Sequence, residues 1–148
     1  MKKISLAIVD NHQLVAQALS KLLARFDEYS VLFEAANGKE MINYVQAGRI
    51  PDIVLLDVNM PEMNGFETAT WLKNNVPTTK ILALSVNDKV ESIIGMLRNG
   101  ATGYLLKDSR PSAIKAALDD LVEKGYHYTD FVANCLVKNL QLEESGVL

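Results

Sequence analysis

Five polar side chains stand directly after short apolar runs: Asp10 and Asn11 after residues 4–9, Asp57 after 53–56, Ser85 after 81–84 and Lys107 after 103–106. Taken singly, each has an ordinary reading. Asp10, Asn11 and Ser85 suit helix caps, Asp57 suits a turn ahead of Pro61, and Lys107 suits solvated surface. Together they hold the parts of a reaction centre. If the first and third runs are neighbouring strands, Asp10 and Asp57 approach each other. Two ionised carboxylates about 4 Å apart repel by about 4 kcal/mol at an effective dielectric of about 20. A cation must then compensate, and Mg²⁺ fits because it takes oxygen ligands, keeps several waters and shares its sphere with phosphoryl groups. Lys107 neutralises the remaining charge. Such a set suits phosphoryl transfer to a carboxylate: Asp57 as nucleophile, Mg²⁺ and Lys107 on the equatorial oxygens, and Ser85 as hydrogen-bond donor to the product.

Positioning these groups requires five βα units. Apolar runs at 4–9, 31–36, 53–56, 81–84 and 103–106 are each followed by a segment of helical period. Leu14, Val15, Ala18, Leu19, Leu22, Leu23 and Phe26 form the first helical stripe, with Asp10 or Asn11 as its cap. Met41, Tyr44 and Val45 mark the second helix. Phe66, Ala69 and Leu72 mark the third, which starts near Asn64 and carries Trp71 as an anchor. The fourth presents Val90, Ile93, Ile94 and Leu97. The fifth begins at Pro111, carries Ile114, Ala117, Leu118, Leu121 and Val122, and stops at Gly125. Beyond it, Phe131, Val132, Cys135, Leu136 and Leu140 predict a sixth helix, with 143–148 as a loose end. Nearly continuous apolar strands alternating with helices predict a parallel sheet covered on both faces. In such folds ligands sit outside the carboxyl ends of the strands, where the winding reverses.

The chain has 148 residues, 49% of them apolar and 22% charged, with 8 Gly, 4 Pro, one Cys and a net charge of −3. This fits one compact domain of roughly 15 Å radius of gyration and excludes disordered, collagen-like and disulfide-stapled classes. Mild acidity offers no electrostatic basis for binding nucleic acid or an anionic membrane. Cys135 has no partner for an internal disulfide. Met1-Lys2-Lys3 starts like a signal peptide, but Asp10 ends the apolar run after residues 4–9, so a cytoplasmic location is expected.

The segments Val9-Asp10-Asn11-His12, Asp57-Val58-Asn59-Met60-Pro61-Glu62-Met63-Asn64-Gly65, Leu84-Ser85 and Gly100-Ala101-Thr102-Gly103-Tyr104-Leu105-Leu106-Lys107-Asp108 resemble a response-regulator receiver domain of two-component signalling. The resemblance spans roughly residues 4–125, and the Lys107-Asp108 pair and the wording before it look like the NarL or LuxR-type branch. It implies a flavodoxin-like doubly wound (βα)5 parallel sheet in strand order 2-1-3-4-5. An extra C-terminal helix is added here. The receiver would occupy 1–125 and a C-terminal extension 126–148. Asp57 matches the phosphorylated aspartate and Asp10 an acid of the Mg²⁺ pocket. Asn59 matches the residue whose backbone carbonyl completes the metal sphere. Ser85 matches the hydroxyl that turns toward the phosphoryl group, Tyr104 the aromatic that swings inward with it, and Lys107 the phosphate-pairing lysine.

The implied activity is a switch that catalyses its own phosphorylation and dephosphorylation. Its phosphoryl source would be a sensor histidine kinase or a small phosphodonor. Homodimerisation is expected, and DNA contact only through a helix-turn-helix output domain for which these 148 residues leave no room. Asn11 stands where most receivers have a second metal-binding acid, so the expected metal set is Asp10, Asn11, Asp57 and Asn59 with lowered affinity. Val86 is bulkier than the small residue usual after the switch hydroxyl and is expected to narrow the pocket.

His12 beside the pocket reads as a surface or capping residue, and Gly100 and Gly103 as turn glycines. No Walker-type Gly-rich Lys-Ser/Thr loop is present. An aspartyl phosphatase of the haloacid-dehalogenase type also places Asp at a strand end, but it needs a second Asp two residues on, where Asn59 cannot donate the proton. A receiver-like interaction module that works without phosphorylation is the other reading, favoured by Asn11.

Overall fold

The computed structural model describes residues 3–60, 63–86 and 89–144. Strands β1 (Ile4–Val9), β2 (Tyr29–Ala35), β3 (Ile53–Asp57), β4 (Lys80–Ser85) and β5 (Gly103–Leu106) alternate with helices α1 (Gln13–Leu23), α2 (Gly38–Gln46), α3 (Gly65–Asn75), α4 (Val90–Arg98) and α5 (Pro111–Glu123). A further helix, α6 (Asp130–Glu144), follows. The strands form one sheet in the order β2-β1-β3-β4-β5, and every pairing is parallel. This is the flavodoxin-like order that the receiver resemblance implies.

The strands look uniformly apolar because both faces are covered, yet their side chains still alternate. Leu6, Ile8, Leu55, Leu82 and Leu84 pack with Leu23 of α1 and with Ile114, Leu118 and Leu121 of α5. Ala7, Val9, Val54, Leu56, Ile81 and Ala83 pack with Met41 of α2, Leu72 of α3 and Ile93 and Met96 of α4. Val132 and Cys135 of α6 join this second core, where α6 lies along α4.

The helix ends follow from local chemistry. Asn64 caps α3 in a reciprocal capping box with Glu67. Asn37 caps α2 by accepting from the Glu40 N–H. Pro111 opens α5, and Gly125 ends it at φ +88°. At α1 the outcome differs from the expectation. The capping position is His12, without a side-chain cap bond, because Asp10 is drawn into the site. Ala16 takes a core position, whereas Leu14 is 82% exposed and Val15 is also exposed. On α4 and α5, Val90 and Val122 are likewise exposed, and Met96 is a core residue that the expected stripe omitted. Gly103 is a strand residue rather than a turn. Its backbone bridges to His127, and a Cβ there would meet Leu82 Cδ1 at 2.9 Å. Residues 145–148 of the expected loose end lie outside the described residues.

Candidate functional site

The ladder pattern carries each site residue to the same edge. Beyond β1, the Asp10 N–H donates to the Ala35 carbonyl at 3.0 Å; after β3, the Val58 N–H donates to Leu84 at 3.0 Å; after β5, the Lys107 N–H donates to Ser85 at 2.8 Å. Asp10, Asp57, Ser85 and Lys107 thus extend four neighbouring strands, β1-β3-β4-β5. Gly65 holds the loop after Asp57 close. Its N–H donates to the Val58 carbonyl at 3.0 Å, and a Cβ would lie 2.7 Å from Asp57 O and from Val58 Cα.

Asp10 and Asp57 are 4% and 2% exposed, and the Lys107 ammonium lies between them. It stands 2.7 Å from Asp10 Oδ2 and 3.2 Å from Asp57 Oδ2. The other Asp57 oxygen, Oδ1, accepts the Asn59 N–H at 3.2 Å. Burial pushes the Asp57 carboxyl above its ordinary value and the negative charge of Asp10 adds to it, while Lys107 and the Asn59 N–H oppose them. Asp57 Oδ2 is sealed from solvent and makes no hydrogen bond among the described residues, so its compensation is the ion pair alone.

His12, read from the sequence as a surface or capping residue beside the pocket, is an addition to the site. Its N–H donates to Asp10 Oδ1 at 2.8 Å, a local turn that swings the imidazole over the pocket. There Nδ1 lies 3.2 Å from Asp10 Oδ1 and 3.4 Å from Lys107 Nζ. The Asp-x-His spacing, with an acid able to accept the backbone N–H two residues on, was the available signal.

The remaining expected residues are placed less centrally. Ser85 is fully buried at the end of β4. Tyr104 is buried in the core that holds Ile93 and Val132. Asn59 is exposed and contributes its backbone. Asn11 is exposed on the rim, lining a shallow groove with Glu34 and Glu40. Val86, after Ser85, is 70% exposed.

The donor set fits a divalent cation. Asp10, His12 and Asp57 each offer one ligand atom within 4.8 Å of the others, and an orphaned buried carboxylate oxygen is among the groups present. The pocket is acidic, compact and already arranged around a positive charge.

A parallel sheet in this order, with two buried acids and a lysine converging at its carboxyl edge, defines a receiver-type fold. The sequence model of the response regulator receiver domain matches residues 6–119, and the chain belongs to that family. It is 32% identical over 136 residues to the transcriptional regulatory protein DegU of Brevibacillus brevis, covering 92% of this chain and 57% of that protein. It is 34% identical over 114 residues to the nitrate/nitrite response regulator protein NarL of Escherichia coli K12, covering 77% and 52%. The chain therefore spans about half the length of these curated relatives. Among solved structures, the signal receiver domain of NarL from Mycobacterium tuberculosis superposes with a TM-score of 0.78 at 29% identity, covering 84% of this chain and 99% of that one. No helix among the described residues is long and apolar enough to cross a membrane.

Proposed function

We propose that this chain is the phosphoacceptor switch of a two-component response regulator, with Asp57 accepting a phosphoryl group from a sensor histidine kinase or a small phosphodonor. The observation that carries the reading is the Lys107 ammonium bridging two buried carboxylates, 2.7 Å from Asp10 and 3.2 Å from Asp57. A carboxylate oxygen of Asp57 attacks the donor phosphorus. The new O–P bond forms as the donor's P–N or P–O bond breaks, and the leaving group departs with the bonding pair. Asn59 orients the nucleophile through its N–H to Oδ1, and Lys107 stays to pair the transferred oxygens. A Mg²⁺ ion held by Asp10, Asp57, the Asn59 backbone and Asn11 would neutralise charge developing on the phosphoryl group. Ser85, at the end of β4, donates to the product, and Tyr104 repacks with it.

The receiver proper occupies 1–125, with 126–148 as its extension. The named transcriptional relatives support a transcriptional output reached through a further domain, which alone would touch DNA, with dimerisation of the receiver as the coupling step. Asn11 supports a second reading, an interaction module that works unphosphorylated.

Incubation with Mg²⁺ and acetyl phosphate, followed by intact-mass measurement, tests the two. One added phosphoryl group on the wild type and none on D57N is expected. No uptake at saturating Mg²⁺ refutes the switch and leaves the module.

A further inference from the structure

We propose that His12 is a direct nitrogen ligand in the cation pocket, so that this chain favours first-row transition ions that accept nitrogen, such as Co²⁺ and Zn²⁺, beyond what its oxygen donors provide. The inference rests on the metal-pocket reading above and deepens it.

Three side-chain atoms already converge on one positive centre. Lys107 Nζ lies 2.7 Å from Asp10 Oδ2, 3.2 Å from Asp57 Oδ2 and 3.4 Å from His12 Nδ1. An ammonium only donates, so a neutral imidazole facing it offers the Nδ1 lone pair and carries its hydrogen on Nε2. Nδ1 also lies 3.2 Å from Asp10 Oδ1, which only accepts, and one tautomer cannot satisfy both neighbours. In the Nε2–H form Nδ1 presents a lone pair toward the Lys107 ammonium, beside the two carboxylates.

Two further facts point the same way. The His12 side chain is 58% exposed and makes no cap bond to α1, so helix capping does not occupy it. Its backbone is nevertheless pinned to Asp10 Oδ1 at 2.8 Å, which keeps the ring at the rim. Asp57 Oδ2, buried and without a hydrogen bond among the described residues, supplies the buried ligand.

Geometry and chemistry agree on the class of ion. Ligand atoms around an octahedral ion with bonds of about 2.1 Å stand about 3–4 Å apart. The three candidate atoms lie within 4.8 Å of one another, and the imidazole among them is on an exposed residue. Carboxylate, carbonyl and water donors suit Mg²⁺, whereas imidazole suits the later first-row ions. With Asn11 on the rim in place of an acid, the pocket has one charge fewer to hold Mg²⁺ and a nitrogen to hold Co²⁺ or Zn²⁺.

The test is calorimetric titration of the intact chain with Co²⁺ and, separately, Mg²⁺, together with the visible absorption of bound Co²⁺. H12Q is expected to weaken Co²⁺ by at least about tenfold and to shift its absorption, with Mg²⁺ affinity changed less than about twofold. N11D is expected to tighten Mg²⁺ more than Co²⁺. H127Q is the control, because His127 and Asp120 form another imidazole–carboxylate pair at 2.8 Å, and Co²⁺ binding should survive it. Equal loss of both ions in H12Q, or loss of neither, overturns the nitrogen-ligand assignment while leaving the Mg²⁺ pocket standing. If wild type binds neither ion, both fail.

Discussion

Replacing Asp57 by Asn is expected to abolish phosphoryl uptake and, at the same time, to stabilise the fold by about 1–3 kcal/mol at pH 7. At 3.2 Å the Lys107 ammonium gives the Asp57 carboxylate about 5 kcal/mol of attraction at an effective dielectric of about 20. Asp10, within 4.8 Å, returns at least about 3.5 kcal/mol of repulsion on the same basis. The difference of about 1.5 kcal/mol falls short of the several kcal/mol that desolvating a buried carboxylate costs. The carboxyl is accordingly raised above its ordinary value, with burial the leading cause. Asparagine preserves the volume and the acceptor for the Asn59 N–H, and leaves Lys107 paired to Asp10 at 2.7 Å.

Because the folded protein holds this proton above the ordinary value of 3.8, the group's full stability is present below that pH and is lost as pH rises through the raised value. The advantage of D57N should therefore vanish near pH 3.5, about where Asp57 is protonated in both folded and unfolded chains. Urea unfolding of wild type and D57N at both pH values measures it, and thermal melting at pH 7 should rise by about 2–4 °C per kcal/mol. Equal stability at pH 7, or a gain that persists at acid pH, would refute the electrostatic account.

Two further perturbations bear on the scaffold. G65A places a methyl 2.7 Å from the backbone of Asp57 and Val58, atoms that cannot step aside, so a loss of about 1–3 kcal/mol in urea unfolding and slower phosphoryl uptake are expected. V132D puts a charge where the side chain is 2% exposed. It should detach α6 at a cost of about 2–4 kcal/mol and open the buried Cys135 thiol to alkylating reagents, which mass spectrometry would register.

How much was legible in advance follows from which interactions are local. The βα alternation is written in runs such as 53–56 and 81–84, apolar throughout because both faces are covered, and Asn64, Pro111 and Gly125 announce helix ends through short-range chemistry. Asp10, Asp57, Ser85 and Lys107 were legible because each terminates a strand. His12 was not, since its place depends on Asp10 turning back to accept the His12 N–H rather than capping α1. The exposure of Leu14 and Val15 was also hidden. A helical period says which residues share a face but not which of them the rest of the fold covers. For α6 the stripe through Val132 and Cys135 was visible, whereas its docking against α4 and the Tyr104 core is a long-range fact.

The lysine at the end of β5 is the longest reach in the site. Its backbone stands at one flank of the sheet and its ammonium meets an acid from β1, crossing the ends of β4 and β3 on the way. Neighbouring strands are about 4.8 Å apart, so this one contact acts as a tie-rod across three inter-strand gaps, between two strands, β5 and β1, that no backbone ladder joins directly. Pulling the lysine's head toward a new anion would slacken or tighten that rod, and the ends of β5 and β1 would register the change together.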